Sequence, residues 1–342
     1  MTTEPTTQTT PAIPAGAKWT RRHLLDVDEL SPDEIELLMQ TTDAMKEVLS
    51  RDVPRVPALR GRTIVTLFYE ASTRTRASFE LAGKALGADV INVAASGSSV
   101  EKGESLIDTV RTLQAVGADA LIMRHGSSGA PYLVARHVQS SVINAGDGWH
   151  AHPTQALLDL YTMRAHLGDP SAGSGQALRG RKVVIVGDIA HSRVARSNIW
   201  ALTTMGAEVT VCAPPTLLPA GMRHGQPRSE EPLAMPPVRV ETDLDIAIQG
   251  ADVVMALRLQ KERMSHGLLP STREYATLYQ LTERRVAAAA TGALVMHPGP
   301  MNEGVEIAPA VASSLQSVIE EQVTNGVAVR MAVLYLICRS RA

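Results

Sequence analysis

Hydroxyl and guanidinium groups are concentrated in the segment Ser72–Arg76, which reads STRTR. A strand-like apolar run, Thr63–Leu67, precedes it, and a helix-like run, Arg76–Leu86, follows it. Free backbone N–H groups and the positive end of a helix dipole lie at such a junction. Ser and Thr add hydroxyl donors, and Arg adds a planar fork that suits phosphate oxygens. The segment therefore predicts an oxyanion site, most suited to phosphate. The alternative is that Ser72 only caps the helix and both arginines are solvated.

A second cluster, Ser98–Ser105, places Lys102 among small and acidic residues just before a predicted helix, Leu106–Val116. Such a loop can move and deliver an ammonium group into a cleft. Taken alone, the same pattern is more typical of an ordinary capped loop with Ser105 at the start of the helix.

A third cluster is a Gly-rich turn that presents His152 and Gln155 at the opening of a predicted helix. Pro153 favours an extended backbone at His152. A neutral imidazole at a helix start can polarise a carbonyl oxygen. His150 and His152 could instead suggest a metal, but no third ligand follows at a recognisable spacing, so we predict no metal site.

Groups suited to a carboxylate follow two later strands. Arg193 begins a helix after the strand Lys182–Val186, without the glycine patterns of dinucleotide or P-loop sites. An arginine in this place suits a carboxylate. Arg258 and Gln260 alternate after the strand Val253–Leu257, so both face one side if the backbone stays extended.

A further cluster, His297–Pro300, is held rigid by two prolines. Its carbonyl groups at Pro298 and Gly299 could accept hydrogen bonds from a substrate amine. Like the other clusters, it falls at or just beyond the carboxyl end of a predicted strand, which is where ligands bind in open α/β sheets.

The alternation of strand and helix patterns predicts an α/β fold with two similar-sized domains, each a parallel sheet flanked by helices, and a site in the cleft between them. We predict a disordered lead over 1–18. The first domain comprises 19–152 together with 322–342, because the last apolar helix could pack back onto the first half. The second domain comprises 153–321.

Composition excludes several classes of function. The 342 residues fit about two domains, and 44% hydrophobic with 20% charged residues is ordinary for a globular protein. Lys plus Arg number 33 against 35 for Asp plus Glu, which argues against a nucleic-acid surface. Two cysteines, Cys212 and Cys338, exclude a disulfide framework and fit a reducing cytoplasm. No apolar run reaches the ~18 residues of a membrane span.

Together these motifs resemble those of the aspartate/ornithine carbamoyltransferase superfamily, from about Arg21 to Leu336. The segments STRTR and HPTQ (152–155) resemble motifs that all carbamoyltransferases share. The segments SVEKGE (99–104), QKER (260–263) and HPGP (297–300) point to the aspartate branch. The ornithine branch typically shows HCLP at the last position and an SMG loop, and neither is present here.

The resemblance implies transfer of a carbamoyl group from carbamoyl phosphate to L-aspartate, in the synthesis of pyrimidines. Phosphate would be held at the helix N-terminus, and Thr75, Arg124 and His152 would polarise the carbamoyl oxygen, with Arg74 completing the catalytic set. Gln155 and the carbonyls near Pro298 would orient the carbamoyl nitrogen. The residues implied for carbamoyl phosphate are Ser72, Thr73, Arg74, Thr75, Arg124, His152, Gln155, Pro298, Gly299 and Pro300.

The residues implied for aspartate are Lys102, Arg193, Arg258 and Gln260. Ser98 and Lys102 would come from a neighbouring subunit, so the resemblance implies a homotrimer with shared sites and no cofactor. It leaves open a further partner, either a regulatory chain or another enzyme of the pyrimidine pathway.

Position 303 departs from the family pattern. Members that read Pro-Met-Asn here commonly continue with Arg, whereas this chain has Glu303. This charge reversal motivates one alternative to the main hypothesis, a catalytically weakened subunit that serves assembly. A second alternative, independent of position 303, is a carbamoyltransferase for another amino acid.

Overall fold

Two parallel β-sheets flanked by helices make up the fold. The computed structural model describes residues 18–94, 104–168, 177–222, 235–260 and 267–339. Within these residues, the first sheet has the strand order β2-β1-β3-β4 and the second has the order β7-β6-β5-β8-β9. The α/β class and the two-domain architecture predicted from the sequence are thus confirmed.

The first sheet is covered by helices on both faces. Its strands are β1 (Thr63–Phe68), β2 (Asp89–Ala94), β3 (Ala120–His125) and β4 (Ser141–Asp147). Its helices are α1 (Pro32–Leu49), α2 (Thr73–Ala85), α3 (Leu106–Ala115) and α4 (Ala130–Ala135). Successive strand residues enter different cores: Val65 and Leu121 join a cluster with α3 and α4, whereas Ile64 and Ile122 join the main core. This alternation follows from the two-residue period of a strand.

The second sheet begins after residue 176. Its strands are β5 (Lys182–Val186), β6 (Glu208–Cys212), β7 (Arg239–Glu241), β8 (Val253–Ala256) and β9 (Leu294–Met296). Its helices are α6 (Arg193–Thr204), α7 (Leu244–Ala247), α8 (Thr272–Tyr279), α9 (Glu283–Val286) and α10 (Pro309–Ala312). The sequence pattern does not predict β7 or β9, because three residues are too few to show a strand period.

Two long helices connect the sheets, α5 (Pro153–Leu167) and α11 (Ile319–Arg339). Helix α5 contacts β4, α6 and α11, and helix α11 contacts α1, α2 and α5. Most of each helix is buried, which is why neither shows a strong polar stripe in its sequence. Within the described residues, no helix combines the length and apolar character needed to cross a membrane.

Two local expectations are corrected. Helix α2 begins at Thr73, three residues before the predicted Arg76, so the hydroxyl and guanidinium cluster occupies its first turn. The segment 214–237, whose richness in Pro and charged residues predicts a surface excursion, is not wholly exposed, because Leu217 and Leu218 are buried in the main core. Residues 1–17, 169–176 and 223–234, which include most of the predicted lead, lie outside the described residues.

Candidate active site

A cavity of about 430 Å³ opens where the carboxyl ends of both sheets meet. Both halves contribute to its walls, through Arg124 of β3 and through segments that follow β1, β4, β5, β8 and β9. The predicted site residues that line it are Ser72, Thr73, Arg74, Thr75, Arg124, His152, Gln155, Arg193, Arg258, Gln260, Pro298, Gly299 and Pro300. Ser98 and Lys102 lie outside the described residues.

The N-terminus of α2 faces this cavity. Ser72 is the N-cap, yet its side chain makes no capping hydrogen bond, unlike Ser105 and Ser192, which cap α3 and α6. The first turn carries no acidic residue, and Thr75 within it is buried. Ser72 therefore does not cap the helix through its side chain, and Arg74 lines the cavity, whereas Arg76 is exposed and does not line it. The hydroxyl group and the helix dipole are both available to an anion.

Glu70 links two of the cavity's arginines. Its carboxylate oxygen Oε2 lies 2.7 Å from Nη2 of Arg193 and 3.4 Å from Nε of Arg124. These arginines belong to different halves of the fold, because Arg124 lies near the end of β3 in the first sheet and Arg193 begins α6, which follows β5 of the second sheet. The motifs assign Glu70 no role, although an acid two residues before a hydroxyl and guanidinium cluster is a signal that sequence reading could use.

Backbone carbonyls hold the same two guanidinium groups from the other side. Arg124 Nη1 donates to the carbonyl of Ala145 at 3.2 Å, and Arg193 Nη1 donates to that of Gly148 at 3.1 Å. Gly146 lies between them with φ +116°. A Cβ atom there would lie 3.0 Å from Arg193 Nε and 3.2 Å from Arg124 Nη1. Any other residue at this positive φ would be strained and would force both guanidinium groups to shift.

His152 is buried at the start of α5. Its backbone N–H donates to Ser197 Oγ at 2.9 Å, and its Nδ1 atom has no hydrogen-bond partner among the described residues. Desolvation, followed by the charges of Arg124 and Arg193, lowers the pKa of His152 well below its ordinary value. The imidazole is therefore neutral near pH 7, as a group that polarises a carbonyl oxygen by hydrogen bonding should be.

The turn His297–Pro300 closes another wall of the cavity. Gly299 N–H donates to His297 Nδ1 at 2.8 Å, so the ring carries its proton on Nε2. Burial, with the charges of Arg74 and Arg258, lowers the pKa of His297 to about 3. A Cβ atom at Gly299 would lie 3.2 Å from Arg74 Cζ, so this guanidinium packs directly on the turn.

Arg258 and Gln260 both line the cavity, and Arg258 Nη2 lies 3.4 Å from Gln260 Oε1. The two side chains therefore share one side, as their alternation predicts. Desolvation and the nearby charge of Arg258 lower the pKa of Arg74. Two cations in one partly buried site favour an anionic ligand between them.

Arg330 is a cavity residue that the motifs do not predict. It projects from α11, is 4% exposed, and donates from Nη1 to the carbonyl of Gly326 at 2.9 Å. Its guanidinium lies 5.2 Å from the ring centroid of Phe79, and burial lowers its pKa to about 10. One charge inside the apolar run 327–338 is the signal that identifies such a residue.

Glu303 does not line the cavity. It is exposed, on a loop whose backbone pairs with Ile307. The carboxylate of Glu303 therefore does not line the sites predicted to bind the phosphate and carboxylate groups of a ligand. Among the described residues, no group of three or more His, Cys, Asp or Glu side chains could hold a metal ion.

Two family models match the chain over most of its length. Residues 22–165 match the carbamoyl phosphate-binding domain of aspartate/ornithine carbamoyltransferases, and residues 179–337 match the aspartate/ornithine-binding domain. A protein from Roseiflexus sp. named aspartate carbamoyltransferase catalytic subunit is 63% identical over 92% of this chain and 94% of its own. A protein of the same name from Chloroflexus aggregans is 61% identical over 92% of this chain and 97% of its own.

Solved structures give the same result. Aspartate transcarbamoylase from Trypanosoma cruzi, in complex with carbamoyl phosphate and aspartate, has a TM-score of 0.80 at 28% identity, covering 95% of this chain and 99% of that one. Ornithine carbamoyltransferase from Pyrococcus furiosus has a TM-score of 0.79 at 26% identity, with coverage of 95% and 99%. The chain therefore belongs to the aspartate/ornithine carbamoyltransferase family.

Proposed function

We propose that this protein is an aspartate carbamoyltransferase of pyrimidine synthesis, which converts carbamoyl phosphate and L-aspartate into N-carbamoyl-L-aspartate and phosphate. One observation carries the proposal. A single cavity joins a helix N-terminus suited to phosphate, on the first sheet, with arginines suited to carboxylates, on the second. The names of the relatives, at about 60% identity, support aspartate as the acceptor.

Carbamoyl phosphate would bind against the first sheet. The hydroxyls and N–H groups of the first turn of α2, together with Arg74, would hold its phosphate. Thr75, Arg124 and His152 would donate hydrogen bonds to the carbamoyl oxygen, and Gln155 with the carbonyls of the turn His297–Pro300 would accept from the carbamoyl nitrogen. Arg330 adds a positive charge to the same cavity.

Aspartate would bind against the second sheet. Arg193, Arg258 and Gln260 would hold its two carboxylates, and the amino group would then lie beside the carbamoyl carbon. Holding both reactants in contact removes much of the entropic cost of a bimolecular reaction.

In the reaction, the lone pair of the aspartate nitrogen attacks the carbamoyl carbon and forms a C–N bond. The bond from that carbon to the phosphate oxygen breaks, and phosphate leaves with the electron pair and accepts the amine proton. Negative charge develops on the carbamoyl oxygen and on the leaving phosphate. Fixed cations and N–H donors of the cavity would stabilise this charge at both positions, which is how such sites lower a barrier.

The domain division, assembly and location are further parts of the proposal. We place the carbamoyl phosphate domain at 19–152 with 322–342 and the aspartate domain at 153–321, because α11 packs on α1 and α2. Ser98 and Lys102 would reach the site of a neighbouring subunit in a cytoplasmic homotrimer. A regulatory chain or another pyrimidine-pathway enzyme could bind that trimer.

Purified protein supplied with carbamoyl phosphate and, separately, L-aspartate, L-ornithine or no acceptor tests the function. We expect a carbamoylated product, measured by chromatography, only when L-aspartate is the acceptor. Product with ornithine would overturn the roles of Arg193, Arg258 and Gln260. No product from folded protein would favour a catalytically weakened subunit, and a Glu303→Arg variant with high turnover would then attribute the weakness to that residue.

Gly146→Ala should lower kcat/KM for carbamoyl phosphate roughly 10- to 100-fold, because an added Cβ forces two guanidinium groups of the cavity to shift from their present positions. The matched control is Gly117→Ala, since Gly117 has φ +101° with nothing within 4 Å of an added Cβ. Both variants should lose about 1–3 kcal/mol of stability through backbone strain. Equal kinetic constants in the two variants would contradict the proposed placement of the arginines.

A further inference from the structure

A buried carboxylate in α5 organises part of the cavity wall without lining it. Asp159 is 0% exposed and accepts three hydrogen bonds from side-chain amides. Gln322 Nε2 lies 2.7 Å from its Oδ1, Gln155 Nε2 lies 3.0 Å from the same oxygen, and Asn198 Nδ2 lies 2.8 Å from Oδ2. Because a carboxylate only accepts, each amide must turn its NH₂ group towards Asp159.

This orientation decides which atom Gln155 offers to a ligand. The side chain of Gln155 lines the cavity, and its Nε2 is committed to Asp159. The remaining polar atom, Oε1, is therefore the one that the amide can present to the cavity. Without the carboxylate, the amide could equally present its NH₂ group, which is a donor.

The same carboxylate also holds the turn His297–Pro300. Gln322 donates to Asp159 through Nε2 and accepts the backbone N–H of His297 through Oε1 at 3.0 Å. Pro298 and Gly299, two residues of that turn, line the cavity. One buried charge thus fixes two separate parts of the wall that would accept hydrogen bonds from the carbamoyl nitrogen.

We propose that Asp159 is a positioning residue that makes the site selective for a carbamoyl group over other acyl groups. This inference rests on the proposed function, since it concerns the carbamoyl phosphate subsite. Carbamoyl phosphate and acetyl phosphate have similar shapes and differ in one group, NH₂ against CH₃. Hydrogen-bond acceptors in the cavity wall would pair with the NH₂ group of carbamoyl phosphate. Against the methyl group of acetyl phosphate they would be left buried and unpaired, which strongly disfavours binding of acetyl phosphate.

The buried charge of Asp159 is itself costly. Desolvation raises the pKa of Asp159 to about 7 even though hydrogen bonds from the three amides and the charge of Arg330 oppose that rise. An asparagine would relieve that cost, but it would offer one acceptor and one donor to three NH₂ groups. A carboxylate is the only side chain of this size that can accept from all three.

The test compares equilibrium binding of carbamoyl phosphate, acetyl phosphate and inorganic phosphate to the full-length protein, by titration calorimetry. We expect the parent to bind carbamoyl phosphate roughly 10- to 100-fold more tightly than acetyl phosphate, as expected for a site built to pair with an NH₂ group. In Asp159→Leu the ratio of the two dissociation constants, acetyl phosphate over carbamoyl phosphate, should fall towards one. Inorganic phosphate should bind this variant nearly as tightly as it binds the parent. Asp159→Asn should give an intermediate ratio.

Thr162→Val is the matched control. Thr162 lies one turn further along α5, does not line the cavity, and accepts from Asn325 Nδ2 on α11 at 3.0 Å. This variant also breaks a buried hydrogen bond between α5 and α11, yet it should retain the parent's ratio. Its melting temperature, compared with that of Asp159→Leu, separates loss of stability from loss of selectivity.

Three outcomes would overturn the inference. They are a parent that does not distinguish the two acyl phosphates, an Asp159→Leu variant that keeps the parent's ratio, and equal losses for all three ligands in that variant. If the leucine variant does not fold, an asparagine variant with the parent's ratio also overturns it. Because the measurement is of binding, absence of aspartate carbamoylation would count against the proposed function and would leave these ratios valid.

Discussion

Arg124→Ala is expected to lower kcat roughly 100- to 1,000-fold, the usual effect of removing a donor aimed at developing negative charge. In the proposed reaction, Arg124 would donate a hydrogen bond to the carbamoyl oxygen, on which negative charge develops. The backbone carbonyl of Ala145 and the carboxylate of Glu70 hold its guanidinium group in place before any ligand arrives. Because it is preorganised, little of its stabilisation is lost to reordering during the reaction. Steady-state kinetics with both substrates would measure the loss.

Arg62→Gln is the control for that variant. Arg62 pairs with Asp119 at 3.0 Å, just before the amino ends of β1 and β3, at the opposite edge of the same sheet. A partly exposed pair of this kind contributes at most about 1 kcal/mol, so kcat should stay within about twofold of the parent. A kcat for Arg124→Ala that matches the control would remove Arg124 from the catalytic set.

Lys102→Ala and Arg193→Ala should each abolish nearly all activity, and mixtures of the two should regain part of it. The proposed trimer explains the recovery, because one site would take Arg193 from one chain and Lys102 from its neighbour. Random reassembly of equal amounts leaves both residues intact in at most about one quarter of the sites, given a closed ring of three chains. Activity measured before and after dissociation and remixing provides the test.

The matched control places both substitutions on one chain. When equal amounts of the double variant and the parent are reassembled, the activity contributed by the parent chains should fall by about half. About half of the parent chains would then share their site with an altered neighbour. Verified mixed trimers of the two single variants that regain no activity would contradict a shared site.

Much of the fold follows from the sequence because buried parallel strands are continuous apolar runs. The strands β1, β5 and β8 are predicted within one residue of their observed ends for this reason. The short helices α7, α9 and α10, of four residues each, escape prediction because one turn shows no helical period. The sequence also does not predict that α2 starts as early as Thr73, because Thr and Arg add nothing to an apolar helical pattern.

The location of the cavity is predictable for a topological reason. In parallel sheets the carboxyl ends of neighbouring strands lie at one edge, so polar clusters that follow each strand meet there. Glu70, Asp159 and Arg330 are harder to predict. Their importance depends on which face of a strand end or helix they occupy and on partners far away in sequence, as with Asp159 and Gln322.

The packing of α11 has a consequence for how the chain folds. This helix completes the core around α1 and α2, although it is synthesised roughly 240 residues after α2, which is a long-range contact of the kind that slows folding. A nascent chain that has emerged only as far as β4 lacks this partner and exposes the apolar surface that α11 will cover. Such a chain should therefore depend on chaperones until translation nears completion.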